Sequence, residues 1–192
     1  DNQLITAGYD SVARIWDSQG ELQFKFAHSS DERSQINDVI WNQDRTLYVT
    51  VGEDASSRVW NQDKSLKATL DDSLGLNKAE AALEKIRGTA AFAKDQQTIV
   101  TAGVGSFAIW EPFEGSYRKR ARFLPNEGPI AHAMPGDLKL FEAAGKEWIW
   151  ASRRSYGPFR FGFFDMQGQP AAFSKMFSGR GQAFDLSPDG KN

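Results

Sequence analysis

Two histidines, His28 and His132, are the only side chains whose ordinary titration lies near neutrality, which makes them the first candidates for a general base. His132 sits in an apolar stretch, PIAHAM, the setting of a satisfied core or rim residue. Asp10 and Asp54 are the carboxylates that paired acid–base work would recruit. They occupy the same place in two copies of one repeat, however, which assigns them to different structural units and not to one site. Cysteine is absent, so thiol chemistry, disulfides and thiolate metal sites are excluded. No G-x-S-x-G, phosphate-binding glycine loop or zinc-ligand spacing occurs. The expectation is a protein that is not an enzyme, with no catalytic residues, cofactor or metal.

Two further segments concentrate chemistry. In SYRKRARF (116–123), Arg118, Lys119, Arg120 and Arg122 alternate around aromatic and small residues. On an outer strand such a run is a charged edge that blocks strand-to-strand aggregation. It also suits an acidic-partner or nucleic-acid contact, helped by Arg153, Arg154 and Tyr156. In WIWASRRSYGPFRFGFF (148–164), Trp148 and Tyr156 beside Arg153 and Arg154 have the composition of interface hot spots. The competing reading, packing between sheets, suits its Phe residues best. Arg118, Lys119, Arg120, Trp148, Arg153, Arg154 and Tyr156 are therefore the candidate partner contacts.

The elements that must position these residues are repeats. LITAGYDSVARIWD (4–17) aligns with LYVTVGEDASSRVWN (47–61) and with TIVTAGVGSFAIWE (98–111). Thr6, Asp10 and Trp16 are spaced by four and six, and Thr50, Asp54 and Trp60 repeat both intervals. Each copy is an alternating apolar run, a tight polar turn and a second run ending in Trp, which reads as a β-hairpin. Upstream of a hairpin, INDVIWNQDRT (36–46), GTAAFAKDQQT (88–98) and QAFDLSPDGKN (182–192) each supply a strand and a polar turn. ELQFKFA (21–27) and SLKATL (65–70) add a fourth strand. Four antiparallel strands per unit, with Trp residues 44 and 50 apart, give an all-β propeller of about four blades.

The units are blade 1 at about 1–27, blade 2 at about 36–70, blade 3 at about 88–124 and blade 4 at about 129–177. A first strand of a further or ring-closing blade occupies about 182–192. The longer Trp interval contains an insertion, LGLNKAEAALEKIRG, read as a short helix over about 74–87 or as a solvated loop. In blade 4, residues 129–145 read as first strand, turn and second strand, and 146–157 as an extended hairpin or rim loop. Phe164-Asp165 takes the closing position of the third strand in preference to Trp150. The interval from Asp165 to Asp189, 24 residues, matches the 27 from Asp17 to Asp44.

The SPDG turn (187–190), the T-x-x-x-D-x-x-x-x-x-W spacing and Trp16-Asp17 resemble WD-repeat proteins over nearly the whole chain. The wording around 165–190 is similar to the degenerate repeats of large bacterial proteins that join a propeller to a signalling or ATPase module. The resemblance implies a structural hydrogen-bonded tetrad of His28, Thr50, Asp54 and Trp60, in which buried imidazole, hydroxyl, carboxylate and indole satisfy one another. It implies partial tetrads at Thr6, Asp10 and Trp16, and at Thr101 and Trp110, where Gly105 replaces the Asp; Arg180 takes the place of a His.

The implied function is a protein–protein interaction scaffold or sensor module in a larger multidomain signalling or ATPase-type protein, binding protein partners through rim loops. The alternative is a propeller hydrolase or lyase with its site in the central channel. A formal charge of −2 makes nucleic acid an unlikely partner. Without an apolar run of transmembrane length no membrane role is expected, and the expected location is cytoplasmic. Whether the chain is an excerpt of a wider ring or closes as four blades stays open.

Overall fold

The structure is a computed structural model that describes residues 3–29, 35–54, 56–71, 88–102, 107–123, 134–154 and 161–173. The described residues form fifteen strands in four antiparallel sheets. The first sheet is β1 (Leu4–Ala7), β2 (Val12–Trp16) and β3 (Leu22–Ala27). The second is β4 (Ile36–Trp41), β5 (Leu47–Gly52), β6 (Ser56–Asn61) and β7 (Leu66–Asp71). The third is β8 (Thr89–Phe92), β9 (Ile99–Ala102), β10 (Phe107–Phe113) and β11 (Ser116–Phe123). The fourth is β12 (Met134–Ala143), β13 (Lys146–Arg154), β14 (Phe161–Asp165) and β15 (Pro170–Phe173). Each sheet is a meander in which sequence neighbours pair. The insertion expected over 74–87 and the strand expected over 182–192 lie outside the described residues.

The sheets stack as successive blades because both faces of an interior sheet are apolar. Side chains alternate between faces along a strand. In the second sheet Tyr48 and Trp60 therefore face the first, packing with Ala13, Ile15, Phe26 and Ile36. Leu47, Val49, Val51, Val59 and Leu70 face the third, against Ile99, Ala108 and Trp110. Phe107, Ile109 and Phe123 of the third sheet meet Leu138, Ile149, Ala151 and Phe164 of the fourth in the same way. The inner strands follow one another, β1 beside β4, β4 beside β8 and β8 beside β12. This is a propeller-like, all-β arrangement.

Polar turns fix the register. Asp17 Oδ1 accepts from the backbone N–H groups of Gln19 and Glu21, each at 2.9 Å, while Gly20 supplies the positive φ of 83°. Asp165 repeats the device on Gln167 and Gln169 at 2.9 and 2.8 Å, with Gly168 at 77°. A carboxylate that caps its own turn in this way suits the third-to-fourth-strand hairpin. Phe164 and Asp165 thus close the third strand of the fourth sheet.

Blade 4 departs from the expectation in its first half. Residues 134–143 are one strand, and 146–154 are the second strand and not a rim loop. Pro135-Gly136 falls inside this strand, at a register shift between Pro135 and Leu138, and not at a turn within 129–145. An inner edge strand tolerates a proline and a bulge because one of its edges needs no ladder bond. The reversal occurs at Ala144-Gly145, both with positive φ, 52° and 71°, as a two-residue hairpin turn demands.

Candidate functional site

His28 lies in the segment linking β3 to β4, and its backbone N–H donates to Ser11 O of the first sheet at 2.9 Å. Its ring crosses to the second sheet. Nδ1 is 2.7 Å from Thr50 Oγ1 on β5, and Nε2 is 3.2 Å from Asp54 Oδ1 in the β5–β6 turn. Trp60 Nε1 on β6 donates to the same Thr50 Oγ1 at 3.0 Å. The Asp54 carboxylate can only accept, so Nε2–H donates to it, and Nδ1 of the neutral ring is then the acceptor for the Thr50 hydroxyl proton. One tautomer therefore satisfies the whole set, and the ring is buried.

The Asp54 carboxylate is surrounded by donors. Its Oδ1 also accepts from Ser56 N at 3.1 Å and Ser56 Oγ at 2.8 Å, and Oδ2 from Arg58 Nη2 at 3.3 Å. Burial acts to raise its pKa, but the hydrogen bonds from His28 and Ser56 and the electrostatic effect of His28 outweigh it and hold the carboxyl well below the usual carboxylate range. Gly52 makes the clasp possible, because a Cβ there would run into the His28 ring and come within 2.9 Å of Asp54 Oδ1.

The other sheets keep fewer of these groups. Trp16 Nε1 donates to Thr6 Oγ1 at 2.9 Å, and Trp110 Nε1 to Thr101 Oγ1 at 2.9 Å. Asp10 turns to Arg14, which grips both carboxylate oxygens. In the fourth sheet Phe164 pairs with Ile149, as Trp60 pairs with Tyr48 and Trp110 with Ile99, so Ala151 occupies the threonine position. Phe164 and Ala151 are both buried, and an apolar contact replaces the indole–hydroxyl bond. Gly105 and Arg180 lie outside the described residues.

One face is left open. Leu4 occupies in the first sheet the place of Tyr48, Ile99 and Ile149, since each pairs with the closing Trp or Phe. Those three are at most 3% exposed, whereas Leu4 is 59% exposed. Trp16 beside it is only partly buried.

The candidate partner contacts are divided. Arg118 Nε donates to Glu111 Oε1 at 2.6 Å, and its guanidinium lies 4.5 Å from the Phe113 ring centroid. Arg120 reaches Glu111 Oε2 at 3.6 Å and also donates to Met166 O of the fourth sheet. Lys119 Nζ lies 4.7 Å from the Trp110 ring centroid and donates to Asp71 O at 3.2 Å. Trp148 is partly buried and donates to Ala143 O at 3.2 Å, so it braces its own hairpin. Arg153 and Arg154 pair with β12 through their backbone, their side chains lying outside the described residues, as does Tyr156.

Sequence reasoning missed the contacts that join the turns of neighbouring sheets. Asn42 Nδ2 donates to Gln96 O at 3.2 Å, and Gln96 Oε1 accepts from Gln43 N at 2.7 Å. Lys94 donates from its backbone to Glu147 and from Nζ to Glu142, both at 2.7 Å. These partners are about 50 residues apart and carry no local motif, so only the recurrence of polar turns hinted at them. An open groove of about 450 Å³ lies between Asn61, Gln62, Asp63 and Gln97. Its Asp63 carboxylate is taken up by Ser65 N and Oγ, at 2.9 and 2.6 Å. Among the described residues no group of His, Asp and Glu could hold a metal ion.

No protein-family model matches the sequence, and no curated protein sequence matches it. Among solved structures, the chain is similar to the β-propeller domain of Cps50 (Swd1) from Myceliophteria thermophila, with a TM-score of 0.69 at 14% identity. The match covers 98% of this chain and 56% of that one, so the chain spans about half the length of that propeller domain.

Proposed function

We propose that the chain is a protein-interaction scaffold or sensor segment within a larger multidomain protein of the signalling or ATPase kind, acting in the cytoplasm. The observation that carries this reading is the saturation of the blade 2 tetrad. His28 Nδ1 and Nε2, Thr50 Oγ1 and Asp54 Oδ1 are each committed to a neighbour in the same cluster. The polar residues of the repeat hold sheets together, and large side chains remain in solvent on turns and hairpin tips, notably Tyr9 and Phe113. Propellers use such turns as contact surfaces on a rigid frame.

The four sheets are part of a wider ring on this reading. Leu4 and Trp16 present an apolar face of the kind that another blade covers at Tyr48 and Trp60. The half-length match to a propeller domain is consistent with it.

Cross-linking mass spectrometry of the chain with captured proteins tests the proposal. Cross-links clustered on the turn and hairpin lysines Lys64 and Lys146, lost on Tyr9→Ala with Phe113→Ala, support it. Capture indifferent to both substitutions, with cross-links scattered over the surface, would overturn it.

A further inference from the structure

Of the four outer strands, β11 is the longest, eight residues against six in β3, six in β7 and four in β15. One edge pairs with β10, and no strand lies on its other edge among the described residues. Such an edge offers a row of backbone donors and acceptors that an extended peptide can match.

The charge on this edge is specific. Arg118, Lys119, Arg120 and Arg122 stand within the strand, and the register shift between Ile109 and Trp110 makes Arg120 the extra residue of a bulge. Arg118 and Arg120 both reach Glu111, and Arg120 touches the fourth sheet, while Lys119 lies over Trp110 and reaches the second. Cations are thus held on both faces of one strand. Arg118 is still 57% exposed at its side chain, and Phe113 beneath it is 42% exposed.

We propose that β11 accepts an extended acidic segment of a partner protein as a fifth strand, with an apolar residue of that segment against Phe113. An added strand also sends its side chains alternately to the two faces, so successive acidic residues meet cations on both. A second β11 would bring like charges together, which disfavours self-pairing at this edge. A phosphate backbone has no counterpart to the ladder bonds that the free edge of β11 offers. The inference rests on the scaffold reading and names its partner chemistry.

Three fluorescent peptides of about eight residues provide the test: one of consecutive Glu with a single Tyr, the same with Lys for Glu, and the acidic one with two Pro inserted between its Glu residues, which cannot complete a ladder. Anisotropy should show binding of the acidic peptide alone. The affinity should fall about tenfold or more on Arg118→Glu with Arg120→Glu, and on raising salt from about 50 to about 500 mM. Arg118 is 57% exposed at its side chain, so Arg118→Glu alone keeps the native circular dichroism and should lower the affinity in the same direction without touching the Arg120–Met166 contact. Bound acidic peptide should slow amide exchange in residues 117–123. Equal binding of the Pro peptide would reduce the site to charge attraction and overturn strand addition. Equal competition by single-stranded DNA would overturn the choice of partner. Absence of binding, with cross-links to protein partners elsewhere, would remove this inference and leave the scaffold reading intact.

Discussion

Gly52 and His28 compete for one space, and a double-mutant cycle measures that competition. His28→Ala removes a buried ring with a hydrogen bond to Thr50 and another to the Asp54 carboxylate. Neutral and charge-assisted bonds together with the partly collapsed cavity suggest a loss of about 3 kcal/mol. Gly52 is not among the glycines with positive φ, so Gly52→Ala brings no backbone strain. It drives a methyl into an imidazole held at 2.7 Å by Thr50 and tied through its backbone N–H to Ser11. Overpacking of this kind costs about 2 kcal/mol. Additivity would therefore give about 5 kcal/mol for the pair. In the His28→Ala background, however, the methyl enters vacated space, so the double variant should lose only about 3 kcal/mol, a coupling of about 2 kcal/mol. Urea unfolding followed by Trp fluorescence reads all four corners of the cycle. Additivity within about 0.5 kcal/mol would show that Gly52 and the ring do not share the space, and would refute the reasoning.

Two other predictions concern the tetrad and its counterpart in the third sheet. Thr101→Val strips Trp110 of its acceptor and should cost about 1–2 kcal/mol, whereas Thr50→Val strands both the Trp60 indole and His28 Nδ1 and should cost about 2–4 kcal/mol; urea midpoints in the reverse order would contradict the shared role of Thr50. The depressed Asp54 pKa makes a stabilising contribution that is present above the ordinary carboxylate range and is lost as pH falls from there toward the folded value. Asp54→Asn should therefore be less stable at neutral pH and flatten the loss of unfolding free energy between about pH 5 and about pH 2, and an unchanged slope would count against the carboxylate's role.

What the sequence disclosed depends on whether the physics needed a polar motif. Thr50, Asp54 and Trp60 were legible because indole, hydroxyl and carboxylate meet only at fixed spacing, and Thr6, Asp10 and Trp16 repeat that spacing. Asp165 was legible because its turn has the same Asp and Gly as the Asp17 turn. The fourth sheet was obscure because Ala151 and Phe164 make an apolar contact that any pair of suitable volume could make. Its first strand was misdivided because Pro135-Gly136 carries a turn signal that an edge-strand bulge satisfies equally well. The cations of β11 were visible, but their division between Glu111, Met166 O and Asp71 O depends on a bulge and on neighbouring sheets. Composition does not encode either.

Hydrogen exchange of the indole N–H groups tests the central claim, that each closing aromatic seals its sheet against the preceding one and that the first sheet's face is open. Trp16, Trp60 and Trp110 all donate to a threonine hydroxyl, at 2.9, 3.0 and 2.9 Å, so hydrogen bonding alone would protect them alike. Trp60 and Trp110 are buried against a neighbouring sheet and Trp16 is only partly covered. Indole resonances followed in heavy water should show Trp60 and Trp110 exchanging at least about tenfold more slowly than Trp16. Equal rates for the three, or a fast-exchanging Trp60, would contradict the stacked-blade account.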